Sequence, residues 1–189
     1  MNKLKKIHLL GIGIIIILIV VFVSMFVRVY NEKNYWQTQA AGHNYSNWSR
    51  IHFMTSEVEK RGFTKDGIDD MCLYINGIVY SAVNNLSPRF STTSSSYLLQ
   101  TDYYQLALDI SSDSYLDEEE LKSAIDLFEE ATKDLNSLSA EILKMAETPA
   151  ARIQLIDEDS KIYKQAKEMT KEYSAEYGER FANFFSKLN

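Results

Sequence analysis

Nineteen consecutive residues, Leu9 to Val27, read LLGIGIIIILIVVFVSMFV without one charged side chain. As a helix rising about 1.5 Å per residue, the run spans about 28 Å, the thickness of a bilayer's hydrocarbon core. Only Gly11, Gly13 and Ser24 interrupt the aliphatic and aromatic side chains. A helix buried in a soluble core would ordinarily show a polar face. In lipid the backbone must satisfy its own hydrogen bonds, so the run is expected to be helical whatever the β-branched propensity of its isoleucines.

The flanks orient the run. Lys3, Lys5 and Lys6 precede it, and Arg28 and Lys33 follow. The excess of positive charge favours a cytoplasmic amino terminus. A secretory signal peptide has the same layout, but its apolar region is about 7–15 residues and its small-residue cleavage site follows closely. Here the nearest small residues, Ala40, Ala41 and Gly42, lie well beyond Val27. The reading is therefore an uncleaved anchor. Residues 1–8 are a cytoplasmic basic tail, 9–27 a transmembrane helix, 28–43 a juxtamembrane segment and 44–189 an extracytoplasmic body. Tyr30, Tyr35 and Trp36 suit the headgroup level. Pilin subunits open with a similar basic tail and apolar helix, but their pattern places an acidic residue inside that helix and this run has none.

The remainder is acidic. All 26 Asp and Glu follow Tyr30, whereas four of the 20 Lys and Arg precede it, leaving a net charge of −10. That charge argues against nucleic acid as a partner. The one cysteine, Cys72, cannot form an internal disulfide, and two prolines and seven glycines are few, as in a helical body. Rich Lys, Asn and Ile usage suits an AT-rich bacterial genome. Asn44-Tyr-Ser46 and Asn47-Trp-Ser49 match the glycosylation acceptor pattern, which matters only in a eukaryotic source.

Apolar periodicity divides the body into helices. The anchor helix is expected to continue to about Ala41 and to break at Gly42 and His43. A second helix over 46–61 aligns Trp48, Ile51, Met54 and Val58, with Gly62 placed as its C-terminal cap. A third starts at Thr64–Asp66 and carries Ile68, Met71, Cys72, Ile75, Val79, Ala82, Val83 and Leu86 on one face. Residues 87–96, SPRFSTTSSS, read as a loop. A shorter helix over 97–109 aligns Leu99, Tyr103, Leu106 and Ile110. Asp117 and Glu120 form an acidic capping box, with Leu116 and Leu121 as the hydrophobic staple, and this helix runs to about Glu147. The last helix, 150–186, aligns Ile153, Ile156, Tyr163, Ala166, Met169, Tyr173, Tyr177, Phe181 and Phe184. The fold expected is all-α: one transmembrane helix and a bundle or antiparallel coiled coil of four to five helices.

Three features bear on chemistry. Asp109, Ser111, Asp113, Asp117 and Glu120 fall at ligand positions 1, 3, 5, 9 and 12 of a calcium loop, with Leu116 at the apolar position 8. The loop resembles an EF-hand in spacing, but Ser114 stands where that loop needs glycine, and the capping box accounts for Asp117 and Glu120 without metal. Cys72 lies on an apolar stripe, and His43 and His52 share no metal-ligand spacing with it. A Cys72–His52 nucleophile pair and an intermolecular disulfide are the reactive alternatives to a buried thiol. Tyr163, Tyr173, Tyr177, Phe181 and Phe184 make an aromatic face that serves as core or as a docking surface for a partner.

The sequence carries no glycine-rich phosphate loop, GxSxG, HExxH or CxxC. The expectation is a non-enzymatic, membrane-anchored protein acting in protein–protein interaction or self-assembly. The alternative is a ligand-binding or sensory bundle, with calcium in the 109–120 loop as the one cofactor considered. The layout resembles the helical ectodomains of chemoreceptor-type sensors, though no second apolar run of membrane length follows.

Overall fold

The computed structural model describes residues 3–90, 98–112 and 116–188, which form helices and no strand. The chain divides into two compact units, Met1–Gln39 and Ala40–Asn189.

Helix α1 runs unbroken from Lys3 to Arg61. The break expected at Gly42 and His43 does not occur. A glycine inside a helix costs only about 1 kcal/mol relative to alanine. From Ala41 onward α1 buries a continuous face, Asn44, Asn47, Trp48, Ile51, Met54 and Val58, and that packing outweighs the glycine. In the first unit the same helix is bare. Every large apolar residue from Ile14 to Val27 is at least 49 % exposed.

Gly62 ends α1 with φ of 91°, and its N–H bonds the Val58 carbonyl at 3.1 Å. This is the left-handed cap that glycine adopts without strain. Helix α2 spans Lys65–Ala82, and Thr64 Oγ1 accepts from the Gly67 N–H at 3.1 Å. A side chain at Gly67 would meet the Gly62 carbonyl at 2.5 Å, so the tight α1–α2 turn requires glycine there too. A 3-10 turn, Val83–Asn85, follows.

The segment after it is clamped by α1. Asn44 Nδ2 donates to the Ser87 carbonyl at 2.8 Å, and the Ser87 N–H donates to Asn44 Oδ1 at 2.8 Å. Trp48 Nε1 reaches the same carbonyl at 3.3 Å. The Asn44 amide thus stands in for a missing backbone partner, which a near-buried peptide group needs. Asn44 and Asn47 are both buried, so neither is presented as a glycosylation acceptor. The Ser87–Pro88 bond is cis.

A π-wound stretch, Leu99–Tyr103, leads into α3, Tyr104–Ser111. Leu98 and Tyr103, five residues apart, are both fully buried, and the wider winding brings residues at that spacing onto one face. Helix α4 spans Glu118–Met145, opened by the capping box at Asp117 and Glu120. Proline opens α5, Pro149–Ile156, and α6 spans Lys161–Leu188.

The single helix expected over 150–186 is therefore two. Asp157 leaves the helical region at ψ 107°, and its carboxylate accepts from the Asp159 N–H at 3.2 Å. Ser160 Oγ then accepts from the Tyr163 N–H at 2.9 Å, as an N-cap does. Short polar side chains offer the backbone a local alternative to helix, and three of them in four residues win here.

The core is one cluster drawn from every helix of the second unit. An aromatic chain threads it: Trp48 on Phe90 at 5.5 Å, Phe90 on Tyr173 at 5.7 Å and Tyr173 on Tyr177 at 4.6 Å. Tyr103 stacks on Phe128 at 4.8 Å.

Candidate functional site

The Ser160 cap sets the phase of α6 and turns its aromatic stripe inward. Tyr173, Tyr177 and Phe181 are buried in the chain's core cluster, Tyr163 is buried outside that cluster, and Phe184 is half-buried against it. Most of the face considered for a partner is thus spent on internal packing. The phenols of Tyr173 and Tyr177 find partners on α4, as buried hydroxyls must. Tyr173 Oη donates to the Ala131 carbonyl at 3.0 Å, and Tyr177 Oη donates to Asp134 at 2.5 Å. The Thr132 hydroxyl donates to the Phe128 carbonyl at 2.7 Å, so Tyr103, 2.8 Å away, is the donor to Thr132. Burial pushes the phenols of Tyr103, Tyr173 and Tyr177 above their ordinary range. Asp134, the hydrogen-bond partner of Tyr177, adds to the rise there.

These bonds hold α4 and α6 side by side and antiparallel. Glu120 and Ser123 near the start of α4 lie beside Phe184 and Lys187 at the end of α6, Glu130 pairs with Arg180 and Asp134 with Tyr177, so one helix ascends as the other descends. Outside this seam lies a shallow groove of about 280 Å³. Leu138, Met169, Tyr173 and Tyr177 line its floor, and Asp134, Glu141, Glu172 and Glu176 its walls. Glu176 lies 3.7 Å from Arg180, at one end. Glu141 and Glu172 make no hydrogen bond or ion pair among the described residues. The sequence signal for the groove is acids set beside the aromatic stripe, Glu172 and Glu176 each one residue before a tyrosine. The sequence reading followed the stripe and missed its edge.

The described residues of the 109–120 segment make local hydrogen bonds. Asp109 Oδ1 accepts from Gln105 at 2.7 Å, and Ser111 Oγ donates to the Leu108 carbonyl at 3.0 Å. Asp117 accepts from the Glu119 and Glu120 N–H groups at 2.9 Å, and Glu120 returns a bond to the Asp117 N–H at 3.0 Å. Asp113 lies outside the described residues. Among those described, no three His, Cys, Asp or Glu side chains gather closely enough to hold a metal ion.

Cys72 is 7 % exposed on α2. Burial pushes its thiol up, Ser111 draws it back by a hydrogen bond and Asp69 adds to the rise. That is the opposite of the depressed range of a reactive thiol. His52 instead shares a 3.3 Å hydrogen bond with Ser139 of α4. His43 is exposed. Cys72 and His52 thus engage hydroxyls of different helices. A second groove, about 590 Å³, opens where Ser87 and Arg89 face Glu158, Tyr163 and Lys167. Its lining carries both signs of charge.

Family models, curated proteins and solved structures were all compared with the chain, and none matches it.

Proposed function

We propose that the chain is a single-pass membrane protein whose acidic helical body acts outside the cytoplasm by protein–protein contact and not by catalysis. One observation carries the anchoring. The most apolar 18-residue window of α1 has a mean hydropathy of 3.0, and none of it is buried within the protein. Burying one such side chain is worth about 1.5–3 kcal/mol, so a row of them exposed to water is untenable and lipid is the natural cover. Ser24 Oγ donates to the Val20 carbonyl at 2.7 Å, so the run's one hydroxyl is satisfied within the helix. Tyr30, Tyr35 and Trp36 are 57–67 % exposed just beyond it, where an aromatic belt belongs.

Contact rather than chemistry is supported by the body itself. Its thiol is pushed up by burial, and among the described residues its long helical faces bear charge without a cleft of convergent acid, base and nucleophile. Alkaline carbonate extraction of membranes tests the anchor. The intact chain is expected to stay in the pellet, and a variant with Ile16→Lys and Val20→Lys to move to the supernatant. Release of the unaltered chain would contradict the reading.

A further inference from the structure

We propose that the α4–α6 groove is the docking site for a basic, amphipathic helical segment of a partner protein. This rests on the reading above that the body works by protein contact.

The groove's walls are acidic along their whole length. Asp134 and Glu141 stand seven residues apart on α4, and Glu172 and Glu176 four apart on α6. At about 1.5 Å per residue the lined stretch is about 10 Å, two turns of an incoming helix. The four carboxylates are strung out and do not converge, and among the described residues they form no group able to hold a metal ion. Spaced charges of one sign suit a row of Lys or Arg better than a point cation.

Met169 supplies what a purely ionic surface lacks, an apolar side chain left partly open to a partner. Leu138 and Tyr173 are almost wholly buried beneath the walls, and half-buried Met169 can repack against an apolar side chain. A helix carrying Lys or Arg at i, i+3, i+4 and i+7 around one leucine meets both features. Glu141 and Glu172 make no hydrogen bond or ion pair among the described residues, Glu172 feeling only the neighbouring charge of Lys171, so docking would break no ion pair of theirs. A second copy of the chain is disfavoured, because a body of charge −10 repels itself.

The test uses the full chain in zwitterionic nanodiscs, with empty discs as the blank. The probe is a fluorescent, alanine-based helical peptide bearing the Lys/Leu pattern, and a Glu-for-Lys version is the control. Anisotropy titrations compare the unaltered protein with Glu141→Gln/Glu172→Gln and with Asp66→Asn/Asp69→Asn on α2, which removes the same charge elsewhere. The expected result is binding of the Lys peptide alone, weakened about tenfold or more by the groove pair and less than about twofold by the α2 pair. Equal weakening by both pairs would overturn the proposal, since net charge alone would then explain binding. No binding would overturn it too, as would self-association of the chain that the groove pair abolishes. None of these three outcomes touches the anchoring, which carbonate extraction reads separately.

Discussion

Replacing Asn44 by alanine tests whether α1 holds the body together through one amide. The side chain makes two 2.8 Å hydrogen bonds to the Ser87 peptide unit. In Asn44→Ala the Ser87 carbonyl keeps Trp48 Nε1 at 3.3 Å, but the Ser87 N–H loses the partner that Asn44 supplied. Orphaning a buried donor costs about 1–3 kcal/mol, and the second bond adds roughly 0.5–1.5 kcal/mol. Together they predict a loss of about 2–4 kcal/mol. For a body of this size, roughly 2–4 °C of midpoint per kcal/mol gives a drop centred near 9 °C. Thermal unfolding followed at 222 nm measures it, with Trp48→Phe as the companion that loses the longer bond and is expected to cost only about 1 kcal/mol of hydrogen bonding. A drop below about 0.5 kcal/mol for Asn44→Ala would refute the clamp and leave the Leu86–Phe90 segment held by its apolar contacts alone.

Asp117→Ala removes the acceptor for two N–H groups at the start of α4 and should cost about 0.5–2 kcal/mol. The loss should be the same with and without millimolar calcium in the melting buffer; a calcium-dependent difference would argue for a metal in the loop instead. Tyr103, Tyr173 and Tyr177 have phenols raised above the ordinary 10.0. Groups raised on folding contribute stability that is full below the unfolded value and lost as pH climbs past it. The tyrosines' contribution should therefore be flat up to about pH 10 and fall above it, with part of the phenolate absorbance appearing only on unfolding. Cys72 should react with a soluble maleimide only slowly at pH 8 in the folded state and rapidly in denaturant, because its thiol is both buried and pushed up.

Where a structural decision is local, the sequence displays it. The Asp117–Glu120 box, the Thr64 cap and the Gly62 stop each depend on a few neighbouring residues, and each is found as read. The apolar stripes are equally legible, because burial of Trp48, Ile51, Met54 and Val58, or of Leu99, Tyr103, Leu106 and Ile110, follows from helical spacing. Elsewhere distant contacts decide. Gly42 looks like a helix break until the packing of Asn44 and Trp48 is known. The Asn44–Ser87 clamp joins residues 43 apart and leaves no periodic trace. Asp157–Ser160 carries a cap signal that the apolar stripe, Ile153 and Ile156 before it and Tyr163 after it, hides by suggesting continuity. The aromatic residues of α6 share a helical face, but sequence alone does not say whether such a face meets its own chain or another. Here most of it is filled from within, and the outward feature is the row of carboxylates beside it.

Protease added to sealed cells tests the central claim, that Leu9–Val27 is an uncleaved anchor holding an acidic helical body outside the cytoplasm. The account predicts that the body is digested from outside. A protected fragment should remain that retains the amino-terminal residues and ends shortly after Val27, as read by mass spectrometry. A body that resists digestion until the membrane is broken, or a mature chain whose first residue lies beyond Val27, would contradict it.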